Sequence, residues 1–313
     1  MNMDAKPAVS VLLCVYNGGP CLAYTLDSIL NQSYTHFEFV IVNDGSTDGS
    51  QQLLESYAAE DKRIKLINKP NTGLIDSLNI GLQACSNDIV FRHDAEDVSH
   101  PDRLRLQLDF LLTNPHVSCV ASRTFFVDEK YGIIGFSPLL PIKNLDETVD
   151  ANQTKIIHGS VAFRKSAVLQ VGGYPRVLHA EDYALWRLMR ASGMHLHMLP
   201  MPLYGYMKVP RGITFSNSFT QLKAVYEVAK EKYTDADIHK SICRINLRNR
   251  MLYQFDRAWE TPVDVSFLYK LSWTFYFRLL SLYQSLLVMR YARFAKALQP
   301  GHQQHTEVKL STF

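Results

Sequence analysis

Runs of apolar residues recur along the first 130 residues of the chain and predict a series of buried strands. The runs have strand length and are nearly continuous, which is typical of strands covered on both faces. They are Val9 to Tyr16, Phe37 to Val42, Ile64 to Ile67 and Ile89 to Phe91.

A helix is predicted after each of these strands, because apolar residues there repeat at a spacing of three or four. The repeats are Leu22/Leu26/Ile29/Leu30, Leu53/Leu54/Tyr57, Leu74/Leu78/Leu82 and Leu104/Leu108/Leu111. Ser46 or Asp48 can cap the second helix, and Pro101 suits the first turn of the fourth. Repeated strand–helix units predict an α/β fold, with a mostly parallel sheet flanked by helices on both faces.

The pattern changes in the second part of the chain. Residues 118–161 show shorter strands and loops, and a helix is predicted from Tyr183 to Arg190, ended by Gly193. After about Ser216 the sequence is typical of helices rich in aromatic residues. We therefore predict one α/β domain over residues 1–215, with halves of about 1–115 and 116–215, and a helical C-terminal region over residues 216–313.

Composition is that of an ordinary folded protein, with 47% hydrophobic and 20% charged residues. The five cysteines show no CxxC or CxxH spacing, which argues against a disulfide framework and a zinc knuckle. The N-terminus has no charged head followed by an apolar run, so no signal peptide is expected. These features favour a cytoplasmic protein with reduced thiols.

Charge is unevenly distributed between the two parts of the chain. Residues 1–205 carry 17 Lys and Arg against 22 Asp and Glu, whereas residues 206–313 carry 16 against 8. The balance thus changes from −5 to +8. Basic segments attract phosphate, whether on nucleic acid or on lipid headgroups.

Polar residues follow each of the four predicted strands, which is where ligands bind in open parallel sheets. The segments are Tyr16-Asn17-Gly18-Gly19, Asn43-Asp44-Gly45-Ser46, Asn71-Thr72-Gly73 and Asp94-Ala95-Glu96-Asp97. Their shared position at one edge of the sheet predicts a binding site there. The first turn lacks GxGxxG, which argues against a dinucleotide-binding dehydrogenase.

Individual polar residues at this edge have two interpretations each. Asp44 can accept hydrogen bonds from a ribose or a base edge, or it can simply form an Asp-Gly turn. Asp94, Glu96 and Asp97 crowd three carboxylates into four residues. Such crowding fits Mg²⁺ or Mn²⁺ with bound substrate phosphates, and it is equally found in solvated acidic turns.

A second acidic pair, Glu181-Asp182, precedes the predicted helix at Tyr183. Carboxylates there are favoured by the helix dipole, so capping is the simplest interpretation. A positioned carboxylate is also what deprotonation of a sugar hydroxyl requires. His158 and Arg164 can contact an acceptor or a phosphate, or they can be satisfied polar residues of the fold.

Taken together, these segments resemble glycosyltransferase family 2, which has the GT-A (Rossmann-like) fold. The resemblance runs from Val9 to about Ser216. It rests on the stretches VSVLLCVYNGG, FEFVIVNDGSTDGS, NKPNTGLIDSLNIGLQAC, IVFRHDAEDVSHPDRLRLQ and IIHGSVAFRKSAVLQVGGYPRVLHAEDYALWRLMRASG. NTGLIDSLN and RHDAEDVSHPDRL are most similar to the subgroup that builds bacterial surface polysaccharide and lipopolysaccharide.

The resemblance implies a role for several residues. Residues implied to hold the nucleotide are Tyr16, Asn17 and Asp44, with Asn71, Gly73 and Asn79 shaping its phosphate and ribose side. Asp94 and Glu96 match the DxD positions beside the diphosphate and an Mn²⁺ or Mg²⁺ ion, and Asp97 is the alternative metal ligand. Asp182 matches the general base, and Glu181, His158, Arg164 and Arg211 are accessory or acceptor-side candidates.

Three positions depart from the family pattern. Glu96 replaces the usual Asp and has one more methylene, which alters its reach toward a metal. Gly159 replaces a common Pro. Met207 replaces an Arg in a segment similar to the family's closing loop, where Arg211 or Lys208 can supply the charge.

The implied activity is inverting transfer from a nucleotide-diphosphate sugar, expected to be a UDP-sugar, to a hydroxyl of a glycan or lipid-linked acceptor. Two alternatives stay open: a catalytically silent protein that binds sugar nucleotides, and a nucleotidyltransferase. The second usually needs a basic phosphate loop near the first strand, and no Lys or Arg occurs between Val9 and Tyr34.

The C-terminal region lies outside most of this resemblance. Phe267 to Met289 is apolar, but Lys270 and Arg278 argue against a membrane span. The segment is predicted to be a packed appendage, a homodimer interface or a helix lying on the inner face of the membrane, with nearby basic residues facing lipid phosphates. Nucleic acid is not an expected partner.

Overall fold

The structure is a computed structural model that describes residues 6–137, 145–150, 156–177 and 179–207. The predicted boundary at residue 215, the helical region 216–313 and Arg211 lie outside the described residues. The predicted membrane-facing or dimer-forming helix lies outside them as well.

Strands and helices alternate along the first part of the described chain, as predicted. The strands are β1 (Val9–Val15), β2 (Phe37–Asn43), β3 (Ile64–Asn68), β4 (Ile89–His93), β5 (Val98–Ser99), β6 (Val117–Val127), β7 (Ile133–Phe136), β8 (Ala162–Arg164) and β9 (His195–Met207). The α-helices are α1 (Leu22–Leu30), α2 (Ser50–Glu60), α3 (Leu74–Ala84), α4 (Arg103–Thr113), α5 (Leu145–Asp150), α6 (Lys165–Gln170) and α7 (Glu181–Ala191).

The strands form one sheet in the order β3-β2-β1-β4-β8-β6-β9-β5, with β7 paired to β6. The neighbours β3, β2, β1 and β4 run parallel, which confirms the predicted strand–helix units. Beyond β4 the sheet is mixed, since β8 is antiparallel to both β4 and β6, whereas β6 and β9 are parallel. The prediction of a mostly parallel sheet therefore describes the first half better than the second.

Two hydrophobic cores cover the two faces of the sheet. One contains Leu22 of α1, Leu54 of α2 and Leu108 of α4, packed on alternate residues of the first strands. The other contains Leu78 of α3 and Trp186 of α7. Because neighbouring strand residues point to opposite faces, both sets of apolar side chains become buried.

Helix boundaries differ slightly from the sequence prediction. Pro101 lies two residues before the first residue of α4, and the helix is preceded by Asp102. Helix α7 begins at Glu181, so Glu181 and Asp182 lie in its first turn rather than before it. No helix among the described residues is long and apolar enough to cross a membrane.

Candidate active site

The first two strand ends are joined by hydrogen bonds at the predicted edge of the sheet. Asn17 has a positive φ of 53°, its N–H donates to Ser46 Oγ at 3.0 Å, and its Oδ1 accepts from Thr47 N–H at 2.8 Å. Tyr16 beside it is 54% exposed. An exposed aromatic ring next to a fixed loop can stack on a base, which is compatible with the predicted role of Tyr16 in holding the nucleotide.

Asp44 is buried and binds the segment that follows β3. One carboxylate oxygen forms an ion pair with Lys69 and accepts from Thr72 N–H at 2.9 Å, and the other accepts from Gly73 N–H at 2.9 Å. Gly73 has a φ of +93°, a conformation that favours glycine. Asp44 therefore shapes the start of α3, and the remaining lone pair on its Oδ2 is what a base or ribose can use.

Asn71 and Asn79 were both predicted to line the phosphate and ribose side, and the structure separates them. Asn71 is exposed beside the Asp44 loop. The Asn79 amide donates to Tyr174 O at 3.0 Å and accepts from Tyr174 N–H at 2.9 Å. This paired contact braces α3 against the segment before α7, so the geometry favours a structural role for Asn79.

The acidic turn, residues 94–97, directly follows β4. Asp94 is partly exposed and forms an ion pair with the buried Arg92. Glu96 is exposed, and its pKa is raised by partial desolvation and then by the Asp94 charge. Both carboxylates thus keep oxygens that an incoming ligand can reach.

Asp97 differs from the other two acids because its side chain points into the protein. It is 3% exposed, and its Oδ1 accepts from Met207 N–H at 2.8 Å. Burial, and next the Asp94 charge, raise its pKa to about 8. The prediction that Asp97 is a metal ligand is not supported by this arrangement, since its side chain is buried and β9 holds one of its oxygens.

The remaining acids fit a divalent cation that shares its ligands with a substrate. Asp94 and Glu96 supply hard oxygen ligands, and Mg²⁺-type sites often use one or two carboxylates together with substrate phosphates. Within the described residues, no three acidic, histidine or cysteine side chains form a metal site on their own. The residues therefore fit a metal–diphosphate complex better than a metal held by protein alone.

Arg92 is the buried cation of this region. Its side chain is 3% exposed, and it shares the α7 side of the sheet with Val90, because the two are separated by one residue on β4. The Arg92 charge counteracts the raised pKa values of Glu181 and Asp182, which places all three in one electrostatic group with Asp94.

Asp182 combines burial with a second charge in the first turn of α7. Burial, and then the neighbouring Glu181, raise its pKa to about 6, whereas its bond from Tyr183 N–H at 2.7 Å and the Arg92 charge act in the opposite direction. The pKa of Glu181 is raised mainly by burial. A carboxylate with a pKa near neutrality is suited to accept a proton.

His158 lies under this region rather than on its surface. It is buried, and its Nε2 is 2.9 Å from the Tyr174 hydroxyl. Burial, and next the Arg92 charge, lower its pKa well below the usual range, so His158 is neutral. It supports Tyr174, and it lies in the same electrostatic neighbourhood as the acids.

Arg164 is at the opposite edge of the sheet, which favours the second interpretation of this residue, a satisfied polar residue of the fold. It pairs with Ile89 at the start of β4, whereas Asp94 follows the end of that strand. Its guanidinium donates to Leu111 O at 2.9 Å and to Val117 O at 3.1 Å. Arg164 therefore joins the end of α4 to the start of β6.

A buried polar network behind the acidic turn was missed by the sequence reasoning. Arg103 donates to Ser99 Oγ at 3.1 Å, and Ser99 Oγ is 2.9 Å from His93 Nε2. His93 Nδ1 lies 2.8 Å from the Asp94 carbonyl. Because burial keeps His93 neutral, the carbonyl contact requires the tautomer protonated at Nδ1. The charged Arg92 within the apolar run IVFRH was the available sequence signal for this network.

Solved structures with the same architecture are glycosyltransferases with the GT-A fold. Staphylococcus aureus TarS 1–349, solved with UDP-GlcNAc, matches with a TM-score of 0.59 and 17% identity over 83% of this chain and 77% of that one. The mannosyltransferase PcManGT from Pyrobaculum calidifontis, solved with GDP-Man and Mn²⁺, matches with a TM-score of 0.58 and 19% identity. The match covers 94% of this chain and 86% of PcManGT. The predicted fold class is confirmed.

The profile of glycosyl transferase family 2 matches residues 10–172, so the chain belongs to this family. EpsE of Bacillus subtilis is 35% identical over 207 residues, 64% of this chain and 73% of EpsE. The Escherichia coli UDP-Gal:alpha-D-GlcNAc-diphosphoundecaprenol beta-1,3-galactosyltransferase is 31% identical over 61% of this chain and 70% of its own. The amylovoran biosynthesis glycosyltransferase AmsE of Erwinia amylovora is 30% identical over 66% of this chain and 78% of AmsE. Family membership argues against the nucleotidyltransferase alternative.

Proposed function

We propose that this protein transfers a sugar from a UDP-sugar to an acceptor hydroxyl, with inversion at the anomeric carbon. The observation that carries the proposal is the single electrostatic group formed by Asp94, Arg92, Glu181 and Asp182. It joins an acid that can face a metal–diphosphate to an acid that can accept a proton. Those are the two functions that a single-displacement transfer requires.

On the donor side, the proposal assigns the nucleotide to the loops after β1, β2 and β3. Tyr16 supplies an exposed ring, and the Asp44 carboxylate holds the loop at Gly73 while keeping one lone pair for a base or ribose. Asn17 fixes the neighbouring loop through Thr47. The start of α3 also presents backbone N–H groups, which favour anionic ligands.

Asp94 and Glu96 would hold Mn²⁺ or Mg²⁺ together with the diphosphate oxygens. The metal, when bound, supplies positive charge that stabilises the departing nucleoside diphosphate. Asp94 is oriented for this contact by its ion pair with Arg92. Arg92 also reduces the repulsion that the acidic side chains and the diphosphate impose on each other.

On the acceptor side, Asp182 takes the proton of the attacking hydroxyl. The acceptor oxygen forms a bond to the anomeric carbon as the bond from that carbon to the diphosphate oxygen breaks, and its electron pair leaves with the UDP. Attack from the opposite face inverts the configuration, so an α-linked donor gives a β-linked product. No covalent nucleophile is needed.

The acceptor class is inferred from the relatives. One acts on a diphosphoundecaprenol-linked sugar and another belongs to amylovoran biosynthesis. We therefore propose a glycan or lipid-linked acceptor in bacterial surface polysaccharide or lipopolysaccharide synthesis. A lipid-linked acceptor would bring the protein to the cytoplasmic face of the membrane, where the basic region after residue 205 favours anionic headgroups.

The experiment is a thermal-shift panel of nucleotide sugars with Mn²⁺, followed by product analysis with the best binder. Ligands that bind the native state raise the melting temperature by mass action. We expect a UDP-sugar to give the largest shift, and we expect UDP and an inverted glycoside as products, with turnover lost in excess EDTA. Binding without turnover would support the silent binding protein instead. Full turnover in EDTA would contradict the metal assignment.

A further inference from the structure

The acidic turn is fixed from a distant strand by one tyrosine. The Tyr204 hydroxyl on β9 accepts a hydrogen bond from the backbone N–H of Asp94 at 3.1 Å. Tyr204 is fully buried and lies 110 residues after Asp94 in the chain. Strand β9 is not adjacent to β4 in the sheet, so this contact crosses from one part of the sheet to another.

The ring of Tyr204 is held in place by Arg103. The Arg103 guanidinium carbon lies 4.9 Å from the Tyr204 ring centroid. Arg103 is itself fixed, because it donates to the carbonyls of Arg92 at 2.9 Å and Val161 at 3.1 Å. The hydroxyl therefore has a defined position relative to the end of β4.

Gly159 provides the space that the hydroxyl occupies. A Cβ at this position would lie 1.8 Å from the Tyr204 hydroxyl and 2.8 Å from Asp94 Oδ2. Any larger residue at 159 would displace either the tyrosine or the aspartate. Glycine at position 159 therefore leaves room for both the tyrosine hydroxyl and the aspartate.

Tyr204 complements two contacts that come from β4 itself. His93 Nδ1 contacts the Asp94 carbonyl at 2.8 Å, and Arg92 pairs with the Asp94 carboxylate. The Asp94 N–H is bonded from outside that strand, by Tyr204. The Tyr204 hydroxyl also contacts the buried Asp97 carboxyl. Its loss would therefore remove the bond to the Asp94 N–H and this second contact, while the His93 and Arg92 contacts stay in place.

We propose that Tyr204 is a positioning residue, which holds the acidic turn in the geometry that binds a metal–nucleoside diphosphate complex. The proposal rests on the proposed function, because it assumes that Asp94 faces that complex. It assigns a function to a fully buried residue of β9. Residues that orient metal ligands in this way typically change metal affinity by about 10–100-fold when they are altered.

The test compares Tyr204→Phe with Tyr34→Phe in the full chain. Both remove one tyrosine hydroxyl, but Tyr34 bonds to Pro7 O at 2.6 Å, away from the acidic turn. UDP binding is titrated by calorimetry with and without Mn²⁺, and melting temperature is recorded for each variant. Tyr204→Phe should weaken Mn²⁺-dependent UDP binding about 10-fold or more, and it should leave metal-free UDP binding unchanged.

Melting temperature should fall by only about 2–4 °C in either variant, as for loss of one hydrogen bond. Gly159→Ala should reproduce the Mn²⁺-specific loss, because the added methyl displaces the hydroxyl. Equal Mn²⁺-dependent binding in Tyr204→Phe and wild type overturns the proposal, and so does failure of Tyr204→Phe to fold, which would make the hydroxyl structural. Absence of any Mn²⁺ effect in the wild type instead contradicts the metal part of the proposed function.

Discussion

The two acidic groups of the site use the same side-chain chemistry in opposite environments. The acidic turn after β4 exposes Asp94 and Glu96, and Arg92 pairs with the first of them. In the first turn of α7, Glu181 is buried and Asp182 is half-buried, and the pKa values of both are raised mainly by desolvation. Exposure leaves oxygens available for a cation, whereas burial makes a carboxylate a better proton acceptor near neutral pH.

Asp97 shows that position in the sequence does not decide which environment a carboxylate receives. It belongs to the acidic turn, yet β9 buries it and bonds its Oδ1 to Met207 N–H. Arg92 connects the two groups, since it pairs with Asp94 and its charge also acts on Asp182. The following predictions test whether the two groups act separately on metal binding and on proton transfer.

The largest effect is expected from Asp182→Asn. Asparagine keeps an oxygen to accept from Tyr183 N–H, but it cannot take a proton from the acceptor. We expect kcat to fall about 10²–10⁴-fold, the usual contribution of a general base, with donor affinity nearly unchanged. Steady-state kinetics and UDP titration measure the two quantities. Normal turnover in Asp182→Asn together with an inactive Glu181→Gln would identify Glu181 as the base.

Asp94→Ala should act mainly on donor affinity. It removes the carboxylate that Arg92 orients, so Mn²⁺-dependent UDP affinity should fall by about 10–100-fold or more. Glu96→Asp is the matched variant, and it should retain substantial activity because the charge remains and only the reach changes. Calorimetric titration of UDP with and without Mn²⁺ checks both. Unchanged Mn²⁺ dependence in Asp94→Ala would remove Asp94 from the metal site.

The pH dependence of turnover should report on Asp182. Its pKa is raised to about 6, and it must be deprotonated to act as a base, so kcat should decrease about 10-fold per pH unit below 6. The Glu181 charge is the second cause of the raised pKa. Glu181→Gln should therefore move the decrease in kcat to lower pH. Profiles of kcat from pH 4.5 to 8 in both proteins test the direction. A shift to higher pH would contradict the assigned coupling.

The smallest effect is expected from Asp97→Asn. The amide oxygen can still accept from Met207 N–H, and the buried carboxyl already favours its neutral form. We expect less than about a threefold change in Mn²⁺-dependent UDP affinity, because the amide keeps the contacts of the Asp97 side chain with β9 and because Asp97 is not proposed as a metal ligand. A loss as large as that of Asp94→Ala would place Asp97 among the metal ligands after all.

Much of the fold and one edge of the site could be predicted from local patterns. The runs beginning at Val9, Phe37, Ile64 and Ile89 all form strands, and the leucine repeat that follows each run forms a helix. Asn17, Asp44 and Asp94 could be assigned to one edge because parallel neighbours end on the same side. The mixed order of β8, β6 and β9 could not be derived, since their pairing joins segments far apart in the sequence.

The sequence by itself determined the strand–helix succession, the edge where polar residues gather and the two acidic groups. These follow from periodicity and from the residues that end a strand, which act over a few positions. Only the tertiary structure decided that Asp97 faces inward, that Asn79 braces Tyr174 and that Arg164 lies at the other edge. It alone revealed Tyr204 beside Asp94, because a hydrogen bond across 110 residues depends on the register of β9 and on the space left by Gly159.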